Sequence, residues 1–192
     1  MHRILIFNLG GTSTKLAVFD EETLVVEGTI RHTDREIQGC TDNAEQIAFR
    51  RGAIEAWLLE NHISLDDLSA VVIRSSGAGL CKKGGTYLVT GKLRDGMYAA
   101  YRSSFPKAPH PSFIVLPLAD EILGSRPVPI YIVDPDGVDE FQDVAYITGH
   151  PDLPRSSGFH VLNHKAIARK ASRDLGKRYE DADLVVAHMG GG

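Results

Sequence analysis

Cysteine is scarce in this 192-residue chain, which contains only two. Cys40 and Cys81 lie far apart and form no C-x-x-C pair, which excludes a zinc ribbon and a disulfide framework and predicts two reduced thiols. Long apolar runs are also missing, since nothing approaches the roughly 20 residues that span a bilayer. The apolar run after Arg3 is shorter than the about 7–15 residues of a signal peptide core. These absences predict a cytoplasmic protein with no membrane partner.

An excess of positive charge is missing as well. Lysine and arginine number 21 against 25 aspartate and glutamate residues, for a formal charge of -4. Nonspecific binding of nucleic acid needs a positive field, so we expect no nucleic-acid partner. Hydrophobic residues at 43% and charged residues at 24% are ordinary for a globular chain. A small-molecule partner is therefore the favoured expectation.

Strands and helices are predicted in alternation along most of the chain. Residues 3–8, 15–20 and 23–30 are β-rich runs with short turns between them, which predicts a three-stranded antiparallel meander. Further strands are predicted at residues 68–73, 86–89 (strand or turn), 129–133 and 184–187, and helices at residues 42–60, 93–101, 118–123, 138–147 and 162–175. Asp42 or Thr41 is the predicted cap of the first of these helices, and Gly176 is the predicted C-cap of the last. Four prolines predict a loop at residues 105–117. The pattern indicates an α/β fold with a mixed sheet.

The turn between the first two predicted strands is the most informative segment. It has the sequence N-L-G-G-T-S-T-K from Asn8 to Lys15. Glycines allow backbone N–H groups to approach an anion, and the hydroxyls add further donors, which predicts a phosphate-binding turn. An ordinary β-hairpin, in which the glycines only satisfy the turn dihedrals, explains the segment equally well. The segment matches neither a Walker A loop nor G-x-G-x-x-G.

Two charged residues follow predicted buried strands. Asp134 comes where α/β sheets bind ligands, and its carboxylate suits Mg²⁺ beside substrate phosphates. The alternative is a turn before Pro135 that caps the following helix. Arg74 precedes S-S-G-A-G, an arrangement that suits bidentate capture of a carboxylate or phosphate. An ordinary surface arginine fits the same pattern.

Three histidines form a further candidate group. His160 and His164 lie four residues apart at the start of a predicted helix, and His188 ends the last predicted strand. H-E-x-x-H is absent and no cysteine is near, so metal binding is weakly supported. A histidine N–H beside a transferring phosphoryl group is chemically reasonable, and helix capping is the alternative. After His188 the chain reaches three glycines, and we expect such a turn to lead into a further element.

Taken together, these segments resemble the acetate and butyrate kinase family, closest to its butyrate kinase branch, over nearly the whole chain. N-L-G-G-T-S-T-K resembles the branch's N-P-G-S-T-S-T-K. Five later segments match the branch in the same order. R-H-T resembles R-H-S, G-G-T-Y occurs in both, and I-V-D-P with V-D-E resembles I-V-D-P-x-x-x-D-E. F-H-V-L-N-H-K-A resembles F-H-x-L-N-x-K-A, and A-H-M-G-G-G resembles A-H-L-G-G-G. The resemblance implies the ribonuclease H-like, actin-like ATPase fold of the acetate and sugar kinase, actin and heat-shock chaperone superfamily, with the chain as an N-terminal portion.

The function that the resemblance implies is that of a carboxylate kinase. Mg²⁺-ATP would transfer its γ-phosphoryl group reversibly to a short-chain fatty acid such as butyrate, giving an acyl phosphate and ADP. Asn8 would contact the transferring group, Arg74 would orient the carboxylate and His160 would stabilise charge, while Asp134 would position Mg²⁺. Phosphate- and nucleotide-binding residues would be Gly10, Gly11, Thr12, Ser13, Thr14, Lys15, His188, Gly190, Gly191 and Gly192. The complete family fold would be a homodimer.

Residues 1–150 are expected to form the acyl-substrate domain, and residues 151–192 the first helix and strand of a truncated nucleotide-binding domain, so the chain alone would be weak or inactive.

The sequence departs from the branch pattern in three places. Leu9 and Gly11 replace proline and serine, G-A-G-L with Ala78 replaces the arginine-containing G-R-G-G-L, and H-P-S-F-I-V replaces H-A-S-N-L-G. A glucokinase-type sugar kinase, whose loop usually begins with Asp where this chain has Asn8, and a noncatalytic acid- or partner-binding relative are the alternatives.

Overall fold

A computed structural model describes residues 1–104, 111–158 and 160–189. The strands are β1 (Arg3–Leu9), β2 (Ser13–Asp20), β3 (Thr23–Arg31), β4 (Leu68–Ile73), β5 (Thr86–Leu88) and β6 (Ile130–Val133). The helices are α1 (Asp34–Gly39), α2 (Asn43–Glu60), α3 (Gly91–Ser103), α4 (Pro111–Leu123) and α5 (Val161–Asp174). Short 3₁₀ turns lie at Leu65–Asp67, Gly77–Gly79, Asp143–Tyr146 and Tyr179–Asp181.

The six strands form one mixed sheet in the order β3-β2-β1-β4-β6-β5. Strands β1 to β3 are the predicted antiparallel meander, with Asn8 directly opposite Lys15 and Leu9 opposite Thr14. Strands β4 and β6 run parallel to β1, and β5 is antiparallel to β6 at the edge. The predicted α/β architecture with a mixed sheet is confirmed. Because β1, β4 and β6 are parallel, their carboxyl ends reach the same edge.

Helices α2 and α4 enclose the main core. Helix α2 begins at Asp42, one of the two predicted caps, whose carboxylate accepts a hydrogen bond from the amide of Glu45 at 2.8 Å. Ile47, Ile54 and Leu58 on its inner face are buried, and burying one such side chain contributes about 1.5–3 kcal/mol. Helix α4 contacts α2, β1 and β4. None of the helices in the described residues is both long enough and apolar enough to span a membrane.

The predicted loop at residues 105–117 is wrong for residues 111–117, which begin α4, while residues 105–110 lie outside the described residues. Pro111 occupies the first helical position, where a missing N–H costs little. Pro117 lies inside the helix, where proline costs about 3 kcal/mol. Five neighbouring side chains are completely buried: Ile114, Val115, Leu116, Leu118 and Ala119. Their burial outweighs the local penalty of the proline.

Two other predicted elements are also wrong. Residues 138–142 are not helical and only a 3₁₀ turn follows them, and residues 184–187 form no strand. Helix α1 was not predicted, although Thr33 and Glu36 form a capping box at its start. The predicted strands β4, β5 and β6 and helices α2, α3 and α5 are confirmed.

Helix α5 contacts the preceding part of the chain through a small second core. Val161, its first residue, is buried with Cys81 and Val138. Gly176 follows the end of α5 with a φ of +67°, the left-handed conformation that favours glycine after a helix. The division of the chain into residues 1–150 and 151–192 stays a prediction.

Candidate active site

Three predicted site residues lie at the carboxyl ends of the parallel strands. Asn8 is the penultimate residue of β1, Arg74 follows β4 and Asp134 follows β6. The amide of Arg74 donates to the carbonyl oxygen of Phe7 at 2.9 Å, which holds Arg74 beside Asn8. Ligands of α/β sheets bind at this edge. Parallel pairing therefore brings together residues that are distant in sequence.

Arg74 is already paired with a carboxylate. Its Nη2 atom lies 3.0 Å from Oδ2 of Asp136, and both side chains are about one quarter exposed, at 24% and 23%. Nε of Arg74 is buried and has no hydrogen-bond partner among the described residues. Asp136 also lines a cavity of about 470 Å³ together with Ser76, Phe113 and His160. Asp136 thus contacts Arg74 and lines the same cavity as the predicted catalytic histidine, His160.

Asp134 belongs to a cluster of charged groups. The carboxyl group is buried, and its Oδ1 accepts a hydrogen bond from the amide of Gly85 at 2.9 Å. Lys165 Nζ lies 3.4 Å from the same oxygen and 2.9 Å from Oε1 of Glu140. Burial alone lowers the pKa of Lys165, but the hydrogen bond to Glu140 and the two negative charges raise it overall. A Cβ atom at Gly84 would overlap the side chains of Lys165 and Glu140, so glycine permits this close approach.

A divalent cation would be held here through a single carboxylate. The described residues contain no group of three or more His, Cys, Asp or Glu side chains able to hold a metal ion. Mg²⁺ in phosphoryl-transfer sites uses one or two carboxylates, with waters and substrate phosphates completing its shell. Oδ2 of Asp134 accepts no hydrogen bond from the part of the chain that the structure describes. That oxygen fits the predicted role of Asp134.

Two backbone hydrogen bonds, one within the turn and one from His32, hold the glycine turn between β1 and β2. The amide of Gly10 donates to the carbonyl oxygen of Ser13 at 2.8 Å, and the amide of His32 donates to the carbonyl oxygen of Thr12 at 2.9 Å. Gly11 and Thr12 are exposed, whereas Thr14 is completely buried. The predicted phosphate-binding residues of this turn therefore do not all face the same way.

Arg50 of α2 lies beneath the turn and is completely buried. Its Nη1 donates to the carbonyl oxygen of Ser13 at 3.0 Å and to Oγ1 of Thr14 at 2.9 Å. Its Nη2 donates to the carbonyl oxygens of Gly10 and Gly11, both at 2.9 Å. Burial lowers the pKa of Arg50 to about 10. The guanidinium group thus contacts four separate oxygen atoms of the turn.

His32 completes the buried polar network. Its Nε2 lies 2.9 Å from Oγ1 of Thr14. Arginine can only donate, so Thr14 Oγ1 accepts from Arg50, while the direction of its hydrogen bond with His32 depends on the histidine tautomer. Burial, and then the charge of Arg50, lower the pKa of His32. The histidine is therefore neutral in the folded chain near pH 7.

Asn8 and Lys15 face away from this network. Side chains alternate between the two faces of a strand. Asn8 and Lys15 are paired across β1 and β2, so both lie on the face opposite to that of the neighbouring pair, Phe7 and Leu16. Both line a cavity of about 510 Å³ with Glu27 and Thr29. The amide of Asn8 and the ammonium of Lys15 are thereby available on one open face of the meander.

The predicted histidine group is assembled in space. The ring centroids of His160 and His188 are 5.0 Å apart, and those of His164 and His188 are 5.7 Å apart. Nδ1 of His164 lies 2.8 Å from the carbonyl oxygen of His160. The predicted phosphate-binding residues at 190–192 lie outside the described residues.

Comparison with known proteins identifies relatives along the entire chain. No family model matches. Butyrate kinase 1 from Clostridium acetobutylicum is 41% identical over 194 residues, an alignment that covers 100% of this chain and 52% of the relative. A probable butyrate kinase from Clostridium botulinum is 39% identical over 193 residues, again with 100% and 52% coverage. The whole chain is homologous to part of a butyrate kinase. It spans about half the length of the curated relatives it matches.

Solved structures of an acetate kinase and a propionate kinase share the fold. Acetate kinase from Entamoeba histolytica superimposes with a TM-score of 0.57 at 17% identity, covering 90% of this chain and 46% of the other. A propionate kinase from Francisella tularensis gives a TM-score of 0.55 at 14% identity, covering 92% and 50%. At such identities the likeness concerns the fold alone. The predicted actin-like ATPase fold is confirmed.

The departure from the butyrate kinase pattern at Ala78 lies in a strained turn. Gly77, Ala78 and Gly79 have φ values of +59°, +53° and +72°. A residue with a Cβ atom pays for this conformation, and such strain clusters at functional sites. A Cβ atom at Gly77 would lie 2.8 Å from Sγ of Cys81. The turn thus keeps a left-handed conformation at Ala78, a position where the butyrate kinase pattern G-R-G-G-L has arginine.

Sequence patterns did not single out four residues of the site: Arg50, Asp136, Glu140 and Lys165. A signal for Arg50 was present, because positions 47, 50, 54 and 58 follow the spacing of a buried helical face. A charged residue on such a face needs polar partners from elsewhere in the fold. Asp136, Glu140 and Lys165 lie in the segments that resemble the butyrate kinase branch. Only the structure shows that Asp136 pairs with Arg74 and that Glu140 pairs with Lys165.

Proposed function

We propose that this chain forms the acid-binding and phosphoryl-binding part of a carboxylate kinase of the butyrate kinase type. A carboxylate oxygen of a short-chain fatty acid attacks the γ-phosphorus of ATP, the bond from that phosphorus to the β,γ-bridging oxygen breaks, and ADP leaves. The reverse reaction forms ATP. The observation that carries the proposal is the meeting of Asn8, Arg74 and Asp134 at one sheet edge in a homologue of butyrate kinases.

Three side chains have distinct roles in this proposal. Arg74 binds and orients the substrate carboxylate, exchanging its contact with Asp136 for one with the acid. Asn8 donates from its side-chain amide to the transferring phosphoryl group. His160, which lines the 470 Å³ cavity, stabilises the charge that develops on that group. Positioning and charge stabilisation supply most of the catalysis in phosphoryl transfer, so no covalent intermediate with the protein is required.

Nucleotide and metal ion are proposed to approach from the two sides of this edge. Within the turn from Gly10 to Lys15, the exposed amides of Gly11 and Thr12 supply donors to phosphate oxygens, as does the segment from His188 to the glycines at 190–192. Asp134 would hold Mg²⁺, which when bound neutralises negative charge on the nucleotide phosphates. Residues 1–150 serve the acid and residues 151–192 begin the nucleotide-binding domain, in a complete protein that is a homodimer.

A chimera tests the proposal. This chain replaces the matching part of butyrate kinase 1 from Clostridium acetobutylicum, and acyl phosphate formed from butyrate and Mg²⁺-ATP is trapped with hydroxylamine. We expect butyrate-dependent acyl hydroxamate, and a loss of about 100-fold in the rate for Asn8→Ala or Arg74→Ala. Arg51→Ala, which removes a surface arginine, is the matched control and should retain the rate.

Two outcomes contradict the proposal. ADP formation that depends on a hexose and not on butyrate would instead indicate a sugar kinase. Butyrate binding without acyl phosphate, in a chimera whose circular dichroism shows it to be folded, would indicate a noncatalytic acid-binding relative.

A further inference from the structure

We infer that Arg50 is a positioning residue for phosphoryl binding, whose buried charge is balanced by the anion that the Gly10–Thr14 turn binds. This inference rests on the proposed function, because it takes that turn as a phosphoryl-binding element. Arg50 is not itself proposed to touch the phosphoryl group. It acts through the backbone of the turn and through its electric field.

The guanidinium group determines which way the turn's peptide groups point. Arg50 binds the carbonyl oxygens of Gly10, Gly11 and Ser13, and the amide of His32 binds that of Thr12. All four carbonyl groups are thereby held by the protein interior. In a planar trans peptide the N–H points opposite to the C=O. The amides of Gly11 and Thr12 therefore point away from Arg50.

These two amides are free to bind a ligand. Gly11 and Thr12 are exposed, and neither amide donates a hydrogen bond to any residue in the described ranges 1–104, 111–158 and 160–189. A Cβ atom at Gly11 would meet nothing within 4 Å, so the space in front of the turn is open. Successive outward N–H groups in a tight turn form a concave site for anions.

The charge of Arg50 has no counter-ion among the described residues. Its four oxygen partners are three carbonyls and one hydroxyl, all neutral. The one ionisable group that raises the pKa of Arg50 is the thiol of Cys40, and burial raises the pKa of that thiol, which keeps it uncharged near pH 7. Its neighbour His32 is neutral. By contrast, Arg51 on the outer face of the same helix lies 3.6 Å from Glu55 and 3.0 Å from Glu121. Fully buried charges are normally paired, so this one is unusual.

A bound phosphoryl group supplies the missing negative charge. An anion held by the amides of Gly11 and Thr12 would be separated from Arg50 by peptide groups rather than by water. Charges attract more strongly through protein than through solvent. Arginine suits this position because its planar fork reaches four acceptors at once, whereas the compact ammonium of a lysine does not.

The experiment titrates the 192-residue chain with inorganic phosphate at constant ionic strength and follows the backbone amide resonances of Gly11 and Thr12 by NMR. We expect saturable shifts at these amides. Arg50→Met should weaken phosphate binding about tenfold or more, because the buried charge and the inward hold on the carbonyls are both lost. Arg51→Met removes the same charge one residue away, and its dissociation constant should stay within about twofold.

Arg50→Lys separates the two contributions. It keeps the charge but loses the fork, so the resonances of Gly11 and Thr12 should move even without phosphate, and binding should be intermediate. This variant also decides the matter if Arg50→Met does not fold. A merely structural arginine would change stability and leave the phosphate affinity of the folded variant unaltered.

Three results would overturn the inference. The first is the absence of a phosphate-dependent shift at either amide of the wild-type chain. The second is equal phosphate affinity in wild type and folded Arg50→Met. The third, which applies if only Arg50→Lys folds, is equal phosphate affinity in wild type and Arg50→Lys. The measurement involves no acyl transfer. An inactive chimera with Arg50-dependent phosphate binding would therefore refute the proposed function alone. An active chimera with Arg50-independent phosphate binding would refute this inference alone.

Discussion

Arg50 and Asp134 are both buried charged residues, but the groups around them differ. Asp134 is 5% exposed and has an ammonium group nearby, that of Lys165, together with the amide of Gly85. Arg50 is 0% exposed and has only neutral acceptors in the described residues. One charge is thus compensated within the protein, and the other is left to a ligand.

The residual charge of the two regions has opposite sign. Asp134 and Glu140 place two carboxylates around the single ammonium of Lys165, which leaves a net negative charge that suits a cation. The turn above Arg50 leaves a net positive charge that suits an anion. Both regions border the strands whose carboxyl ends form the candidate site. Under the proposed function, these opposite charges would hold Mg²⁺ and phosphoryl groups side by side at this edge.

Removing the buried arginine is expected to have the largest effect on stability. Arg50→Met leaves the carbonyl groups of Gly10, Gly11 and Ser13 without their donors, and we expect the free energy of unfolding to fall by about 3–5 kcal/mol. Chemical denaturation measures it. Arg51→Met, the matched surface change, should cost about 1 kcal/mol or less. Equal losses in the two variants would show that the turn does not depend on Arg50.

Removing the lysine beside Asp134 should cost less. Lys165→Met leaves Asp134 with its hydrogen bond from Gly85, so we expect a loss of about 1–2 kcal/mol at pH 7 by urea denaturation. Lys170, whose Nζ is 3.9 Å from Asp174 and whose side chain is 69% exposed, provides the control. Lys170→Met should change stability by about 0.5 kcal/mol or less. If Lys165→Met lowered the free energy of unfolding as much as Arg50→Met does, the proposed difference between the surroundings of Asp134 and Arg50 would be wrong.

The same variant tests the direction of the pKa shift. The pKa of Lys165 is raised in the folded state above 10.5. Its contribution to stability is therefore complete below the unfolded pKa and is lost as pH rises through the folded value. Wild type should lose more stability than Lys165→Met between pH 10 and the folded pKa. An identical pH dependence in both would show that Lys165 makes no net favourable ionic contact.

The smallest expected effect concerns His32. Burial and Arg50 lower its pKa in the folded state below 6.5, so the unfolded chain takes up a proton first. The stability associated with neutral His32 is present above pH 6.5 and is lost as pH falls from there toward the folded pKa. Urea denaturation between pH 7 and 5 should show a steeper decline for wild type than for His32→Gln. The exposed His2 is the control, and parallel curves for wild type and His32→Gln would contradict the assignment.

Much of the fold followed from local patterns. β-rich runs and short turns predicted the meander, and helical spacing with a cap at Asp42 or Thr41 and a C-cap at Gly176 predicted α2 and α5. The prediction failed at α4, where the proline content was given more weight than the apolar content. Proline acts within one turn of a helix, whereas the burial that offsets Pro117 comes from packing against α2, β1 and β4.

The candidate site was predictable as residue types and not as an arrangement. Asn8, Arg74 and Asp134 were singled out one at a time, each with a structural alternative. Their meeting depends on the parallel pairing of β1 with β4 and of β4 with β6. Arg74's partner Asp136 belongs to a loop 62 positions later in the chain, and no local periodicity relates the two.

The sequence by itself determined a strand, a short turn rich in glycine and hydroxyl groups, and a second strand, because these properties depend on neighbouring residues. It left open whether that turn is a plain hairpin or an anion site. Tertiary structure decided which way the peptide groups of the turn face. The group responsible, Arg50, lies 40 positions from Gly10, and only the packing of α2 against the sheet brings its guanidinium beneath the turn.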